Sequence, residues 1–509
     1  MQFVKKNKFL FIIFLLALII RLYNLNTFPL GFHVDEAKVA WESLSIIKTL
    51  KDDHGNLFSL YYNSFGDYRP TGIFYASIPF IILFGRNVFA VRFASSLFGA
   101  LTIFPLYFLS YQITKNKKIS LLSCFLLSII PWHVATSRAT SEVVISGFLI
   151  LSSLALLIRK PVLSFLLLGL SFLFYHSARV MSPILIFFWV YYLLASEYRK
   201  FLYSKKTFIG LFLVTLFSSF LLFSPQGEAR LSQVALPNPN LRNIIINYTT
   251  YLDPNFFIGD IAKPFRYTTA NVGIISIPIF VLFLLGIYII LKTNKNKILL
   301  LFFALGPIPA SLTLEDSPNL HRAFFMLPFL IIIAAIGLNY FYENQKLIFK
   351  IFLFCIAFSF ISFCINYFNT TNNIAFEYRD PQTKSLSNYI YQNKNNYDLI
   401  YVTNDPDSPY PWFYFFHGYN PKDVNKALEA GYNGKWQYEN IVWDNTRCPR
   451  ANAFDEALKN KNIKKILVID NGQCTTDPIK THEDAKIIKE FSYNGTVNYR
   501  VWEYKPIRI

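Results

Sequence analysis

The sequence predicts a mainly α integral membrane protein, a bundle of about 11 transmembrane helices followed by a small C-terminal α/β domain. The first observation is composition: 53% of the 509 residues are hydrophobic and only 16% are charged, which is unusual for a soluble protein. The second is that the apolar residues form runs long enough to cross a bilayer, such as "GIISIPIFVLFLLGIYIILK" at 273–292. The third is the change after residue 366, where polar residues and short strand-like runs replace the apolar runs.

The formal net charge of +18 does not indicate nucleic-acid binding, because the basic residues cluster in short segments between apolar runs. Cytoplasmic loops of membrane proteins carry an excess of Lys and Arg. We therefore interpret these segments as cytoplasmic loops and expect no nucleic-acid partner. They are "KKNK" (5–8), "KNKK" (115–118), "RK" (159–160), the basic residues of 197–206 and "KTNKNK" (292–297).

The first helix is predicted at about 9–23, with a cytoplasmic N-terminus. Lysines precede its apolar run, as in a signal peptide, but no small-residue cleavage site follows. The next apolar stretch, 72–85, is only about 14 residues long and contains Pro79. We interpret it as an interfacial or re-entrant segment; the alternative, a true short span, would reverse most later loops. Further spans are then predicted near 88–112, 119–135, 142–158, 161–177, 180–195, 207–224, 272–291, 298–314, 323–341 and 347–366.

This topology divides the chain into a transmembrane domain, 1–366, and an extracytoplasmic domain, 367–509. The outer face also receives a first outer loop at 24–87 and a long outer loop at 225–271. The outer segments hold isolated charged residues and histidines beside Trp, Tyr and Pro. Because such residues at membrane ends usually face a water-filled cavity or a ligand, the outer side is predicted to be the functional side. Usage rich in Lys, Asn and Ile is typical of an AT-rich bacterial genome, so we expect the plasma (inner) membrane.

The C-terminal domain is predicted to be α/β. "YDLIYVTN" (397–404) and "IKKILVIDNG" (463–472) are strand-like, with helical stretches such as "AFDEALKNKN" (453–462) between them. It contains neither a glycine-rich phosphate loop nor a metal-ligand pattern, so we expect a binding or capping role. Cys448 and Cys474 can pair if this domain faces an oxidising compartment.

The first candidate site is "HVDEAK" (33–38), which contains the adjacent acids Asp35 and Glu36. Asp35 precedes a stretch of helical spacing, and an Asp in this place is a good N-cap. The functional alternative is that a carboxylate of this pair acts as a general base.

The other candidates are basic residues near the outer face. Arg69 in "FGDYRPTGIFY" (65–75) either anchors a turn or holds an anionic headgroup. Arg92 lies a turn into an apolar span, where a charge requires snorkelling or a partner. Arg138 and Arg179 lie at the outer ends of spans, and arginine suits bidentate contacts with phosphate.

The last basic pair, His321 and Arg322, opens the tenth span after a charged turn that contains proline. Turn chemistry explains the Ser-Pro-Asn segment before it but not the basic pair. His133 and His176 accompany the arginines, and we favour interfacial histidines over metal ligands for both. No convincing metal-ligand spacing is present, so no metal or other cofactor is predicted.

Together these motifs put an acid pair and several arginines on one face of a multispan protein. A carboxylate can serve as the base, and arginines can stabilise a departing phosphate. This combination suits transfer from a membrane-bound phosphate donor. A transporter or flippase of a lipid-linked sugar, or a non-catalytic envelope-assembly protein, is the alternative.

The order of motifs resembles the polyprenyl-phosphate-dependent GT-C glycosyltransferases. The N-terminal span, the outer loop with "DEA", the basic-Pro segment and "FG…VRFASSLFGALTIFPLY" are similar to the bacterial branch of the protein O-mannosyltransferase/ArnT-like group, glycosyltransferase family 39. The resemblance covers roughly 9–340. Arg92, Ser95 and Gly99 match the family's "R-x-x-S-x-x-x-G" stretch, whereas "YRPTG" lacks the second proline that usually follows the basic residue of the loop.

The resemblance implies a GT-C fold with amphipathic helices in the first outer loop, a polyprenyl-phosphate sugar donor and inversion at the anomeric carbon. It makes Asp35 the general base, with Glu36 as its neighbour. It implies contacts with the donor phosphate by Arg69 and Arg92 and, as softer candidates, Arg138, His321 and Arg322. Arg179 joins this set by its place at the outer face. The acceptor is a protein, a lipid or a glycan.

Overall fold

The computed structural model describes residues 7–64, 67–196, 199, 205–237, 239–268, 272–369, 379, 382–405, 409–418, 434–476, 484–493 and 495–507. The chain forms two compact units. The first consists of Met1–Pro29, Leu60–Ile73 and Arg92–Ala375. The second combines the C-terminal segment Phe376–Ile509 with two segments from near the N-terminus, Leu30–Ser59 and Phe74–Val91.

The described part of the chain is mostly helical, as predicted. The helices are α1 (Lys8–Leu22), α2 (Val34–Thr49), α3 (Gly72–Phe84), α4 (Val88–Leu101), α5 (Ile103–Thr114), α6 (Lys117–Ile129), α7 (Pro131–Arg138), α8 (Glu142–Leu156), α9 (Pro161–Ser171), α10 (His176–Leu194), α11 (Lys205–Leu222), α12 (Pro225–Val234), α13 (Leu241–Thr250), α14 (Pro254–Ile258), α15 (Ile277–Thr293), α16 (Ile298–Leu305), α17 (Ile308–Ser311), α18 (Leu327–Asn344), α19 (Lys346–Tyr367), α20 (Thr383–Asn393), α21 (Tyr410–His417) and α22 (Arg450–Lys459). The strands are β1 (Tyr61–Ser64), β2 (Asp67–Pro70), β3 (Leu399–Thr403), β4 (Lys435–Tyr438), β5 (Ile441–Asp444), β6 (Ile466–Asn471), β7 (Lys486–Tyr493) and β8 (Thr496–Tyr504).

Five helical segments among the described residues are long and apolar enough to cross a membrane, and α6 with α7 makes a sixth if the bent pair is one span. Five further apolar helices are shorter, and α3 is one of them. The multi-pass architecture is therefore confirmed, while the total of about 11 spans and the re-entrant interpretation of 72–85 stay predictions. The five long segments are Val88–Thr114, His176–Leu194, Lys205–Leu222, Phe324–Asn344 and Lys346–Tyr367.

Two predicted spans contain a break in the helix. The span at 119–135 bends by 54° between α6 and α7, where Pro131 begins the second helix. The span at 298–314 ends as α16 and resumes as the short α17 after Gly306 and Pro307. Proline has no backbone N–H to continue a helix, so the chain breaks at these points.

Small residues allow α15 and α18 to pack closely in the first unit. A Cβ atom at Gly286 would lie 2.0 Å from the carbonyl oxygen of Ile333, and one at Gly337 would lie 2.2 Å from that of Leu282. Any larger residue at either position would therefore push the helices apart. Glycine contacts of this kind are a common way for membrane helices to associate.

The outer loops are more ordered than the sequence indicates. The predicted amphipathic helix of the first outer loop is present as α2, but the antiparallel hairpin of β1 and β2 was not predicted. The long outer loop contains α12, α13 and α14. Each of the three begins at a polar N-cap, respectively Ser224, Asn240 and Asp253, whose side chain accepts a backbone N–H of the first turn.

The C-terminal part of the second unit contains a six-stranded sheet in the order β4-β5-β3-β6-β8-β7. β3 is parallel to β5 and β6, and the other neighbouring strands are antiparallel. β3 and β6 are buried along their whole length, and Phe454 of α22 is buried in the same hydrophobic cluster as Tyr401 and Val468. The predicted α/β domain, with strands at 397–404 and 463–472, is confirmed. Cys448 and Cys474 form a disulfide.

Candidate active site

α2 begins directly after His33, and its first turn contains the acidic motif. The backbone N–H of Asp35 donates to Nδ1 of His33 over 3.1 Å, and the backbone N–H of His33 donates to Oε2 of Glu36 over 3.2 Å. This reciprocal arrangement is a capping box, which provides acceptors for N–H groups that the helix itself leaves without one. His33 is therefore the N-cap, and the interpretation of Asp35 as the cap is wrong. Asp35 is the second residue of the helix.

Glu36 forms a buried ion pair with an arginine 343 positions later in the chain. Nη1 of Arg379 donates to Oε2 of Glu36 over 2.7 Å, and the two side chains are 0% and 2% exposed, respectively. An unpaired charge at this depth would be strongly destabilising. The carboxylate of Glu36 therefore has a structural task, because it receives hydrogen bonds from both His33 and Arg379. Arg379 was not predicted from the sequence.

Two further contacts hold the segment that precedes α2. Gly31 has a φ of +77°, and a Cβ atom there would lie 2.3 Å from the carbonyl oxygen of Arg379, so only glycine fits. The indole N–H of the buried Trp412 donates to the carbonyl oxygen of Phe32 over 2.8 Å. On α2 itself, the ring of Trp41 contacts that of Tyr410 edge-on at 4.9 Å between centroids. Residues of the C-terminal segment thus surround the acidic motif.

Asp35 differs from Glu36 in its exposure. Its side chain is 22% exposed, and its Oδ2 lies 3.5 Å from Nδ1 of His33. The N-terminus of a helix favours negative charge, so its position in the first turn stabilises a carboxylate. Asp35 is therefore the more accessible acid of the pair.

A second group of ionisable residues lies about two turns further along α2 and in the segment that follows this helix. Burial, and after it the neighbouring carboxylate of Asp53, raises the pKa of Glu42 well above its usual value. A hydrogen bond to Asp53 raises the pKa of His54. Asp52 completes the group. None of these four residues was predicted from the sequence.

In the first unit, two of the predicted basic residues are linked through the β1–β2 hairpin. Arg69 lies on β2 opposite Tyr62 and is half-buried. Nη1 of Arg179 donates to the hydroxyl oxygen of Tyr61 over 2.6 Å, and its guanidinium lies 4.6 Å from the centre of the Tyr61 ring. His176, one turn earlier on α10, contacts the carbonyl oxygen of Tyr68 at 2.8 Å. Arg179 and His176 therefore hold the hairpin that carries Arg69.

Arg92 and Arg138 bind backbone carbonyls at the end of α1 and in the segment after it. Nη1 of Arg92 donates to the carbonyl oxygens of Leu25 and Pro29 over 3.2 and 2.9 Å. Arg138 donates to four carbonyl oxygens, and its guanidinium also lies 5.0 Å from the ring centre of Phe368. Both arginines are fully buried. Their hydrogen bonds favour a structural task over contact with a donor phosphate. The four acceptors of Arg138 are the carbonyl oxygens of Ile20, Arg21, Tyr23 and Phe28.

His321 and Arg322 follow a turn that the side chain of Asn319 stabilises. Oδ1 of Asn319 accepts the backbone N–H groups of both residues over 3.0 Å. Arg322 forms an ion pair with Glu315, whose side chain is 50% exposed, and donates to Oγ1 of Thr313 over 2.8 Å. The ring of His321 lies 4.0 Å from that of Tyr267. Arg322 is therefore paired with a carboxylate that is half exposed at the surface.

A cavity of about 410 Å³ lies between α4–α5 and α8 in the first unit. Phe104, Phe108 and Phe148 contribute to its largely apolar lining, which also includes Arg159. None of the residues predicted from the sequence to form the site lines this cavity. An apolar cavity among membrane helices is suited to a hydrocarbon chain, and it is distinct from the acidic motif and the basic residues described above.

Residues 69–225 match the family model of the dolichyl-phosphate-mannose-protein mannosyltransferases. The matched range includes Arg69, Arg92, Arg138 and Arg179, and it begins after Asp35. No curated protein sequence matches the chain.

Solved structures share the fold over nearly the whole chain. ArnT from Cupriavidus metallidurans in the apo state has a TM-score of 0.59 at 11% identity, with 98% of both chains covered. The same protein bound to undecaprenyl phosphate has a TM-score of 0.54 at 12% identity, with 97% of both chains covered. The apo oligosaccharyltransferase of Archaeoglobus fulgidus has a TM-score of 0.50 at 13% identity, covering 90% of this chain and 69% of that one. The predicted GT-C fold is confirmed.

The buried pair of Glu36 and Arg379 gives the first testable prediction. Glu36→Gln or Arg379→Met alone leaves one buried charge without its partner, and we expect each change to lower the free energy of unfolding by about 3–5 kcal/mol. The double variant Glu36→Gln/Arg379→Met removes both charges, so its loss should be smaller than the sum of the single losses. The measurement is thermal and denaturant unfolding of the purified full-length protein.

Lys435→Met is the matched control, because Lys435 pairs with Glu456 at the surface, where both side chains are about half exposed. We expect its effect to stay below about 1 kcal/mol. Strictly additive losses in the double variant would show that Glu36 and Arg379 do not interact.

Proposed function

We propose that the chain is a membrane glycosyltransferase similar to the ArnT-like group, which transfers a sugar from a polyprenyl-phosphate donor to an acceptor on the extracytoplasmic face. The observation that carries the proposal is the division of tasks in the acidic motif. Glu36 is buried and paired with Arg379, while the neighbouring Asp35 remains accessible at a helix N-terminus. The donor class is supported by the family match and by the ArnT structure bound to undecaprenyl phosphate.

In the proposed mechanism, Asp35 is the general base. Its carboxylate takes the proton of the acceptor nucleophile, which forms a bond to the anomeric carbon of the sugar. The bond between that carbon and the phosphate oxygen breaks at the same time, and the electron pair leaves with the polyprenyl phosphate. Attack from the face opposite the phosphate inverts the configuration. Glu36 acts as a positioning residue, because it fixes the first turn of α2 and not the substrate.

Among the six predicted phosphate contacts, we propose Arg69 as the principal one. It lies on a hairpin that Arg179 and His176 hold in place, and its guanidinium can contact two phosphate oxygens at once. Arg322, with His321 beside it, is the second candidate, since a phosphate can replace the exposed carboxylate of Glu315. For Arg92, Arg138 and Arg179 we propose a structural task, because they donate hydrogen bonds to protein groups.

We also propose that the protein resides in the plasma (inner) membrane, with a cytoplasmic N-terminus and an extracytoplasmic C-terminal segment. The clustering of lysines in alternate connections supports this orientation. The disulfide between Cys448 and Cys474 supports it independently, because disulfides persist in oxidising compartments and are rare in the bacterial cytosol.

The base assignment predicts that Asp35→Asn abolishes sugar transfer and leaves donor-lipid binding intact. We expect turnover to fall about 10²–10⁴-fold, the range typical of a lost general base, with less than about a threefold change in the affinity for undecaprenyl phosphate. Turnover is measured as polyprenyl phosphate released by the purified protein in membranes that supply donor and acceptor. Glu228→Gln, at an exposed position of α12, is the control. Full transfer by Asp35→Asn would refute the mechanism, and a transporter would be little affected by the change.

The phosphate assignment predicts opposite results for two arginines. Arg69→Met should weaken binding of undecaprenyl phosphate about tenfold or more, because a charge-assisted contact is lost, while thermal stability changes little. Arg92→Met should lower thermal stability, because the carbonyls of Leu25 and Pro29 lose their buried donor. Affinity and melting temperature are measured on the same preparations. Unchanged lipid affinity in Arg69→Met would contradict the assignment.

The orientation predicts that Cys448 and Cys474 are oxidised in cells. In a background with Cys124, Cys355 and Cys364 replaced by Ala, the denatured protein should take up maleimide-polyethylene glycol only after reduction. A Cys474→Ser control should be modified without reductant, because Cys448 then lacks its partner. An exported reporter protein that becomes oxidised in the same cells shows that the compartment is oxidising. If the parent protein is nevertheless modified without reductant, the C-terminal segment lies in the cytoplasm.

A further inference from the structure

Three ionisable side chains meet in the segment that follows α2. The possible ligand atoms of Asp52, Asp53 and His54 all lie within 4.8 Å of one another. The two aspartates are 6% and 5% exposed, and the imidazole of His54, with its side chain 27% exposed, lies at the more open side. The group is therefore an inward-facing set of ligands with one side accessible from solvent.

Glu42, on the body of α2, contacts this group through Asp53. It is 1% exposed, and its Oε2 accepts the backbone N–H of Asp53 over 3.2 Å. Its Oε1 is buried without a hydrogen-bond partner. A buried carboxylate oxygen in this state is unfavourable and calls for a ligand or a proton.

Local turn geometry explains only part of this arrangement. The carboxylate of Asp52 accepts the backbone N–H and the side-chain amide of Asn56 over 2.7 and 3.2 Å, so it stabilises the turn of 52–56. Such a turn does not require Asp53 and Glu42 to point to the same place. Asp52 and Asp53 remain net negative beside one imidazole even when His54 is protonated and Glu42 is neutral, and like charges this close repel each other.

We propose that Glu42, Asp52, Asp53 and His54 bind a divalent metal ion of the Zn²⁺ or Mn²⁺ class. A dication would neutralise the repelling carboxylates and give Oε1 of Glu42 a partner. The mixture of imidazole and carboxylate ligands suits Zn²⁺ and Mn²⁺, whereas Ca²⁺ prefers oxygen ligands alone. The site is separate from the sugar-transfer residues and does not depend on the proposed function.

The metal would have a structural effect on the helix that carries Asp35. Glu42 lies seven residues after Asp35, on the same face of α2 and about 10 Å along the helix axis. A metal bound there would fasten the segment that contains Asp52, Asp53 and His54 to the middle of α2. The arrangement gives the metal no place in the bond-forming step, and it adds rigidity to the second unit.

The test is metal binding by the purified full-length protein in detergent after chelator treatment and dialysis. Isothermal titration with ZnCl₂ and with MnCl₂, together with elemental analysis, should show about one ion per chain and a higher melting temperature in its presence. His54→Ala should weaken binding about tenfold or more, in line with the loss of a metal ligand. His54 is partly exposed, so this variant is expected to fold. Glu42→Gln should abolish the rise in melting temperature.

Asp260→Asn, at an exposed position of the long outer loop, is the control and should bind like the parent protein. Binding that stays unchanged in both His54→Ala and Glu42→Gln would overturn the proposal, as would the absence of saturable binding to the parent protein. If the parent protein shows no saturable binding, a proton shared between Glu42 and Asp53 would reduce the repulsion between the carboxylates instead of a metal ion. Sugar transfer is not measured in this experiment, so its outcome leaves the assignment of Asp35 unaffected.

Discussion

The buried ion pair of Glu36 and Arg379 determines how the acidic motif is presented. It joins the first turn of α2 to the beginning of the C-terminal segment, and the capping box with His33 uses the same carboxylate oxygen. A buried pair is stable only when both charges are well hydrogen-bonded, so the backbone around it is closely constrained. Gly31, which fits against the carbonyl of Arg379, and Trp412, which binds the carbonyl of Phe32, are parts of this constraint. The contacts of Glu36 therefore fix the position of Asp35.

The first unit shows why arginine alone is an ambiguous signal at the outer side of a membrane protein. Non-helical backbone at membrane depth needs hydrogen-bond donors from the protein, because lipid provides none. Arg92 and Arg138 supply such donors to the carbonyls at the end of α1 and after it. The guanidinium that can bind a phosphate can equally bind carbonyl oxygens. The position of an arginine along a span does not show whether it binds phosphate or backbone carbonyls. Its hydrogen-bond partners in the structure do.

The sequence allows the fold class to be predicted well, because hydropathy and strand patterns are local properties. It predicted α2, β3 and β6, and it left open the pairing of Cys448 with Cys474. It did not predict the break at Pro307, because apolar residues continue on both sides of it, and it did not predict a second helix after Pro131, because the residues 131–138 are mostly polar or weakly apolar. The contacts of Arg379 with Glu36 and of Glu42 with Asp53 were not predicted for a different reason. The two residues of each pair are far apart in the sequence, by 343 and 11 positions, and no periodic pattern links them. The assignment of Asp35 rested on resemblance, and its exposure could only come from coordinates.

The C-terminal segment contacts the part of the chain that contains the acidic motif. The family match begins after Asp35 and ends at residue 225, so neither the acidic motif nor the segment from Phe376 onwards lies within it. Yet these two parts belong to one compact unit, in which Arg379, Tyr410 and Trp412 contact the residues around Asp35. A domain that merely displayed a binding surface would not need to provide the partner of Glu36. The C-terminal segment is therefore better understood as part of the structure that orients the proposed base, and differences in it should alter which acceptors can approach Asp35.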